Sequence, residues 1–333
     1  MFAHYYLLLY NSCKVIKMKL SLVIPCYNEA DNVRPLFDKV NEEFENKIDD
    51  YEFIFVNDGS TDETLANLKG ICEESSRPVK IVNFSRNFGK EAAIFAGLKE
   101  ASGDMISLID ADLQQNPAYV VKMVDYLDEN PEYDSVAAFQ EERRESAFIR
   151  FCKRKFYHLI NRMSDTEFVD GASDFRTFRA CMRDAILEMS EYHRFSKGIF
   201  SWVGFNTYYM PYEADSRLSG TSKWSFWKLC KYAIDGIVAF TTVPLKISTY
   251  IGFLTSLASL IYIIIVFIEK LAFGIAVPGY ATIVVLILFL GGLQLLALGI
   301  NGEYLSRTYI QSKHRPIYIT REVISNKDDK NDI

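Results

Sequence analysis

Leu20-Ser-Leu-Val-Ile-Pro-Cys-Tyr-Asn-Glu29 is the stretch from which the fold of this chain is read. Leu20–Pro25 is apolar without alternation, the pattern of a strand buried on both faces. Polar Tyr27-Asn28-Glu29 then opens an amphipathic stretch of helical period, Ala30–Asn46. The unit recurs: Phe53–Asn57 precedes Asp62–Glu74, Val79–Phe84 precedes Lys90–Ala101, and Met105–Asp110 precedes Pro117–Asp128. Strands joined by crossover helices predict an α/β, Rossmann-like, mostly parallel sheet covered on both faces, with ligands at the carboxyl ends of its strands. Those ends are polar: Tyr27-Asn28-Glu29, Asn57-Asp58-Gly59-Ser60-Thr61-Asp62 and Asp110-Ala111-Asp112-Leu113-Gln114.

Moving outward, the pattern loosens between Ser135 and Pro211. A basic helix, Arg143–Asn161, comes first, then Asp170-Gly-Ala-Ser-Asp-Phe-Arg176 and a helix ending near Ser190, read together as an acceptor subdomain completing the same domain, 18–221. Residues 1–17 carry an apolar patch whose lysines follow it instead of preceding it, a poor signal peptide. The clean first strand begins just after Met18, so 1–17 are read as a dispensable arm or as residues upstream of the true start.

Charge is unevenly spread. The net charge is −6 over 333 residues, which argues against a general nucleic-acid binder. From Ile247 to Gly302, however, only Glu269 and Lys270 are charged. Ile247–Ile268 and Tyr280–Ile300 are each long and apolar enough to span a bilayer. Together they predict a transmembrane hairpin over 247–302. The preceding 222–246 mixes Trp224, Phe226, Trp227 and Tyr232 with Lys223, Lys228 and Lys231, a composition suited to juxtamembrane helices in the lipid headgroup region. Lys246 before the hairpin, and Arg307, Lys313, Arg315 and Arg321 after it, add to the basic flanks, so the catalytic domain and both termini are expected in the cytoplasm. Residues 303–333 are read as a cytoplasmic tail whose last part, Asn326–Ile333, is disordered. Six cysteines without a CxxC pair or clustering with the four histidines read as reduced thiols.

The strongest chemical signal is Asp110-Ala-Asp112 ending an apolar strand. Two carboxylates one residue apart can share a hard divalent cation, Mg²⁺ or Mn²⁺, which leaves coordination positions for substrate phosphates. Neither G-x-G-x-x-G at the first turn nor G-x-x-x-x-G-K-[ST] is present, which disfavours dinucleotide oxidoreductases and P-loop phosphotransferases.

With these residues, Ser21–Glu29, Val56–Asp62, Asn83-Phe-Ser-Arg-Asn-Phe-Gly-Lys90 and Asp110–Gln114 resemble the family-two glycosyltransferases of the GT-A fold. Asp174-Phe-Arg176, Arg194–Gly198, Arg217–Trp224, Gly302–Arg307 and Arg315-Pro316 narrow the resemblance to the polyprenyl-phosphate branch, which includes dolichyl-phosphate mannose synthases and bactoprenol glucosyltransferases. It implies that Pro25, Tyr27, Glu29 and Asp58 cradle the base and ribose of a nucleotide-sugar. Asp110, Asp112 and Gln114 would hold the metal against its diphosphate, and Arg217 and Lys223 would close over that diphosphate. The acceptor, a polyprenyl (undecaprenyl) phosphate, would have its phosphate met by some of Arg143, Arg144, Arg150, Lys153 and Arg154. Asp174 would orient acceptor or sugar, since a phosphate acceptor is already ionised and needs little general-base help; its alternative is a structural partner of Arg176.

The resemblance further implies an inverting hexosyl transfer. Glucose from UDP-glucose is the first choice of donor, with UDP-N-acetylglucosamine and GDP-mannose as alternatives. It also implies a homo-oligomer, membrane lipids as partners, and a small flippase and a downstream glycosyltransferase that consume the product. A processive polysaccharide synthase would need more spans and a Q-x-x-R-W segment. A non-catalytic scaffold would be expected to have lost Asp110, Asp112 or Arg217.

Overall fold

The computed structural model describes residues 18–139, 161–162, 169, 171–212, 236, 238–273 and 279–327. The chain divides into two units, and the first is discontinuous in sequence: of the described residues it takes in 18–139, 169, 171–212 and those from Pro316 onward.

In this first unit β1 (Leu20–Cys26), β2 (Tyr51–Asn57), β3 (Val79–Phe84) and β4 (Met105–Leu108) alternate with α1 (Val33–Phe44), α2 (Thr64–Glu74), α3 (Lys90–Glu100) and α4 (Ala118–Glu129). β5 (Ser135–Phe139), β6 (Ala172–Arg179), α5 (Ala180–Glu188), α6 (Ser196–Trp202) and β7 (Thr207–Pro211) follow. The strand order among the described residues is β7-β5-β6-β4-β1-β2-β3-β8, where β8 is Thr320–Ser325. β4, β1, β2 and β3 are mutually parallel. β6 joins β4 antiparallel, and β5 joins β6 antiparallel. This is the GT-A arrangement: a parallel, Rossmann-like half continued by a mixed half.

The parallel strands are buried on both faces because their residues are apolar on both. Leu22, Val23, Ile24, Phe53, Phe55, Val56, Ile81 and Ile106 are each at most 1% exposed. Phe37 of α1 packs its ring 4.8 Å from that of Phe53, which stacks on Phe55 at 5.8 Å. On the other face α3 approaches closely at Gly97, where a Cβ would lie 2.3 Å from Val23 Cγ1. Only glycine lets this helix lie so near the sheet.

Two elements depart from the reading of the sequence. The Asp170–Arg176 stretch, read as part of a loosened subdomain, belongs in large part to β6, paired with β4 from Met105↔Arg179 to Leu108↔Arg176. Its polar residues hide the strand from a hydrophobic pattern, yet Arg176 and Thr177 are buried, and Thr177 Oγ1 lies 2.9 Å from Ser107 Oγ. Second, the segment read as a cytoplasmic tail contributes β8, antiparallel to β3 from Lys80↔Ser325 to Phe84↔Thr320. Tyr318 stacks on Phe84 at 4.8 Å. Asn326, expected to be disordered, accepts from Val79 N–H at 2.8 Å and donates to Ser75 O and Arg77 O. β8 is an edge strand with one face exposed, so its alternating, charged sequence looks like tail when read alone.

The second unit contains α7 (Val243–Phe273) and α8 (Tyr280–Ser312). Both are long and apolar enough to cross a membrane, and both run beyond the expected spans, α7 from Val243 and α8 to Ser312. Large apolar side chains such as Phe253, Ile263, Phe289 and Leu296 are exposed along them, an amount of apolar surface that suits lipid and not water. Thr249 and Thr255 return their hydroxyls to carbonyls one turn back, which hides their polarity within the helix.

At the amino edge of the sheet Glu52 is buried and fully engaged. It accepts from Lys19 Nζ at 2.6 Å, Ser21 Oγ at 2.5 Å, and Ser102 N–H and Oγ at 2.9 and 2.8 Å. Burial pushes its carboxyl up, but the donors from Lys19, Ser21 and Ser102 outweigh it and hold the pKa below the ordinary glutamate value. A depressed folded-state pKa contributes stability above the unfolded-state value that is lost as pH falls through the folded one. Glu52→Gln should therefore cost about 1–3 kcal/mol at neutral pH, and less as pH drops below the ordinary glutamate range. Urea melts of the two proteins across that range check it.

Candidate active site

The polar residues that end β1, β2 and β4 meet at the carboxyl edge of the sheet. The first two loops are stitched together by side chains. Asn28, in the left-handed region at φ 55°, takes Ser60 Oγ as acceptor for its N–H at 3.0 Å, and its Oδ1 accepts from Thr61 N–H at 2.9 Å. Glu29 N–H donates to Thr64 Oγ1 and Ala30 N–H to Asp62. Asp58 N–H extends the β1–β2 pairing by donating to Cys26 O at 2.9 Å. The result is a fixed platform on which Tyr27 stands 47% exposed, with Pro25 and Glu29 half-buried beside it.

Asp58 is buried and holds a third loop. Its two oxygens accept from Phe88 N–H at 2.6 Å and Gly89 N–H at 2.9 Å. Burial pushes its carboxyl up, against the pull of those two amides and of Arg86. The loop comes so near that a Cβ on Gly59 would sit 2.4 Å from Arg86 C, and Gly59 itself has φ +63°. Both facts require glycine there.

At the end of β4, Asp110 is clamped. Its N–H donates to Gln115 Oε1 at 2.8 Å, and Gln115 Nε2 donates to its Oδ2 at 3.1 Å. Leu113 at φ 61° turns the chain so that Gln114 N–H reaches Asp112 Oδ1 at 3.2 Å. The other oxygen of Asp110, Oδ1, faces Lys90 Nζ at 2.6 Å, and the same ammonium lies 3.4 Å from Asp174 Oδ2. Burial works against the charged ammonium, but Asp110 and Asp174 outweigh it and hold the Lys90 pKa above the ordinary lysine value.

Asp174 sits on β6, next to β4, and its Oδ1 is buried without a hydrogen-bond partner among the described residues. Burial raises its carboxyl, yet Lys90, Lys197 and Arg176 together hold it low. Of the two readings of Asp174, its contact is with Lys90, while Arg176 lies over the Phe200 ring at 3.8 Å and donates to Ser173 O. Burial drops the Arg176 pKa to about 10, against the pull of Asp174.

The edge is rich in negative charge. Glu29 is pushed up by burial and by Asp112, Asp110 and Asp62, against the hydrogen bond from Asn32. Such an arrangement suits a divalent cation, and the oxygen donors Asp110, Asp112 and Gln114 are of the type that hard ions take. No three His, Cys, Asp or Glu side chains among the described residues are grouped to hold one by protein alone. Two carboxylates with substrate phosphates completing the shell is an ordinary arrangement for Mg²⁺-type ions.

The structure thus brings Asp110 and Asp174 together through Lys90, and places Pro25, Tyr27, Glu29, Asp58, Asp112 and Gln114 at the ends and loops of the same sheet edge. Arg143, Arg144, Arg150, Lys153, Arg154, Arg217 and Lys223 lie outside the described residues. Sequence reasoning gave no role to Lys90, to Gln115, or to Glu91, which accepts from Ser196 N–H at 2.9 Å and so ties α3 to α6. The signal for Lys90 was its place at the end of the Asn83–Lys90 motif, at the start of a crossover helix, though the carboxylates it meets come from two other strands.

Sheet topology and an acidic carboxyl edge are those expected of the GT-A fold. The glycosyl transferase family 2 model matches residues 21–187, and the model of the GtrB C-terminal hairpin matches 243–308. CsbB of Bacillus subtilis is 45% identical over 312 residues, 93% of each chain. The prophage bactoprenol glucosyl transferase homolog of Escherichia coli K12 is 39% identical over 92% of this chain and 99% of its own. The bactoprenol glucosyl transferase of Shigella phage SfV is 39% identical over 91% and 98%. The chain belongs to glycosyl transferase family 2 and carries a GtrB-type hairpin at its C-terminal end.

Gly59→Ala should strain the turn and push the 85–89 loop off Asp58, destabilising the protein by about 1–3 kcal/mol. A lowered thermal midpoint in detergent, with the ellipticity of the folded protein retained at low temperature, is the expected result.

Proposed function

We propose that this protein transfers glucose from UDP-glucose to the phosphate of a polyprenyl phosphate at the cytoplasmic face of the membrane, forming a lipid-linked sugar. The observation that carries the reading is the match to bactoprenol glucosyl transferases over more than nine-tenths of both chains, so that sheet, acidic edge and hairpin all fall within it. Orientation is supported by β8: residues before and after the helix pair share one sheet, so both ends of a two-span hairpin return to the same side. The basic flanks favour the cytoplasmic one.

In this reading the nucleoside lies against Pro25, Tyr27, Glu29 and Asp58. A Mg²⁺ or Mn²⁺ ion held by Asp110, Asp112 and Gln114 supplies positive charge to the donor diphosphate. The acceptor phosphate, already ionised, is held by residues among Arg143, Arg144, Arg150, Lys153 and Arg154 and attacks the anomeric carbon in line, inverting it. The bond to the nucleoside diphosphate breaks as the new bond forms, and Arg217 and Lys223 stabilise the charge that the leaving group gains. Asp174 orients the sugar or acceptor and carries no proton away. The protein works as a homo-oligomer embedded in membrane lipid.

Purified protein incubated with undecaprenyl phosphate and a panel of labelled nucleotide-sugars should label the lipid from UDP-glucose. Labelling from UDP-N-acetylglucosamine or GDP-mannose instead would reassign the sugar. Asp112→Ala should reduce turnover on the order of 100-fold or more, and excess chelator should do the same; full activity under either condition removes the metal from the reaction.

Two spans are too few to carry a sugar headgroup through hydrocarbon, where an uncompensated polar group costs several kcal/mol. A small flippase and an outward-facing glycosyltransferase are the partners that would consume the product. In sealed vesicles bearing this protein alone, with donor supplied outside, the glycolipid should remain in the outer leaflet, as read by a membrane-impermeant probe.

A further inference from the structure

We propose that Lys90 is a cationic placeholder in the metal site: in the donor-free protein its ammonium takes the coordination position on Asp110, and the divalent cation gains that oxygen only together with the donor's diphosphate. This rests on the metal assignment made above and adds the order in which the site is loaded.

The geometry permits little else at Asp110. Its Oδ2 and its N–H are both tied to Gln115, itself 5% exposed, which fixes the plane of the carboxylate. The remaining oxygen, Oδ1, is the one that Lys90 contacts at 2.6 Å. A hard cation needs a carboxylate oxygen at about 2.0–2.6 Å, so ammonium and metal compete for one atom. Were both present at Asp110 without further anions, a single and a double positive charge would lie within a few ångströms of each other. The diphosphate of a bound donor removes that penalty, and Lys90 can then remain with Asp174, 3.4 Å away in the donor-free protein, or turn to the phosphates.

The position of Lys90 is also coupled to the nucleoside end of the site. It follows Gly89, whose φ is +98° and whose N–H is held by Asp58, the residue assigned to the base or ribose. A ligand that draws on the Asp58 carboxylate therefore acts on the turn from which Lys90 springs. The Lys90 ammonium contacts two carboxylates, and removing either the lysine or its neighbours changes how much negative charge the entering cation meets.

The test reads metal occupancy, not sugar transfer. The full-length protein in detergent is titrated with Mn²⁺, followed by loss of the hexaaquo-Mn²⁺ electron paramagnetic resonance signal, with and without UDP. Wild type should bind Mn²⁺ at least tenfold more tightly with UDP than without. Lys90→Met, and the milder Lys90→Gln, should bind Mn²⁺ alone at least fivefold more tightly than wild type and gain less from UDP, whereas Lys90→Arg, keeping the charge, should stay close to wild type. Wild type binding Mn²⁺ equally well with and without UDP overturns the proposal, even if neither neutral variant folds. So does a folded neutral variant whose affinity for Mn²⁺ alone is unchanged or weakened, the outcome for a lysine that only props up the site. Absence of Mn²⁺ binding even with UDP removes instead the metal from the proposed function.

Discussion

Burying β1, β2, β3 and β4 on both faces leaves unpaired charge no place in the middle of these strands, so the chemistry of this domain is confined to the strand ends. The amino edge resolves its one buried acid locally, with Lys19, Ser21 and Ser102 around Glu52. The carboxyl edge does not: Glu29, Asp62, Asp110 and Asp112 face one another, raise the Glu29 pKa, and have Lys90 as the cation in contact with Asp110. Concentrated negative charge is costly to a folded domain unless something binds there. The rigid stitching of the loops, by Asn28, Asp58, Asp62 and Gln115, is what holds the carboxylates in place against that repulsion.

The same stitching reaches the far edge of the sheet. Glu322 on β8 accepts from Asn83 Nδ2 at 3.0 Å, Asn83 Oδ1 accepts from Asn57 Nδ2 at 2.8 Å, and Asn57 Oδ1 accepts from Ser60 N–H at 3.4 Å. Ser60 in turn receives the Asn28 N–H. A strand encoded after the helix pair therefore supports the loops that carry Asn28 and Ser60. Lys69 pairs with the same Glu322 at 3.3 Å, so the carboxylate that anchors the relay is itself held in position.

Much of this was legible in the sequence because each step used a strong local signal. Four apolar runs gave the parallel strands, with Val79–Phe84 matching its observed bounds, and the Asp110-Ala-Asp112 pair lies at the carboxyl edge where the other acids gather. What was not legible depended on partners distant in sequence. β6 is polar enough to look like a loop until Ser107 and Phe200 are placed against it. β8 acquires its meaning only from β3, more than 200 residues earlier. The role of Lys90 was hidden for a related reason: its two carboxylates come from β4 and from β6, and only the antiparallel pairing of those strands puts them on the same ammonium.

The charge of the described edge also constrains what the remaining segments must do. A nucleoside diphosphate and a lipid phosphate are both anions, and neither would approach carboxylates from Glu29 to Asp174 with Lys90 as their cation in contact. Two further sources of positive charge are needed, one for each anion. A divalent ion held by Asp110 and Asp112, as proposed, would meet the first need and turn the acidic edge from repulsive to attractive for the donor. In the proposed reading the second falls to the basic residues between Arg143 and Arg154, while Arg217 and Lys223 would serve the donor's leaving diphosphate. In that reading the donor would be held by the acidic edge through a metal, and the acceptor phosphate directly by a basic segment. Such a separation would suit a transfer between two phosphorylated partners, because cations set aside for the acceptor would not be spent on the carboxylates that hold the metal.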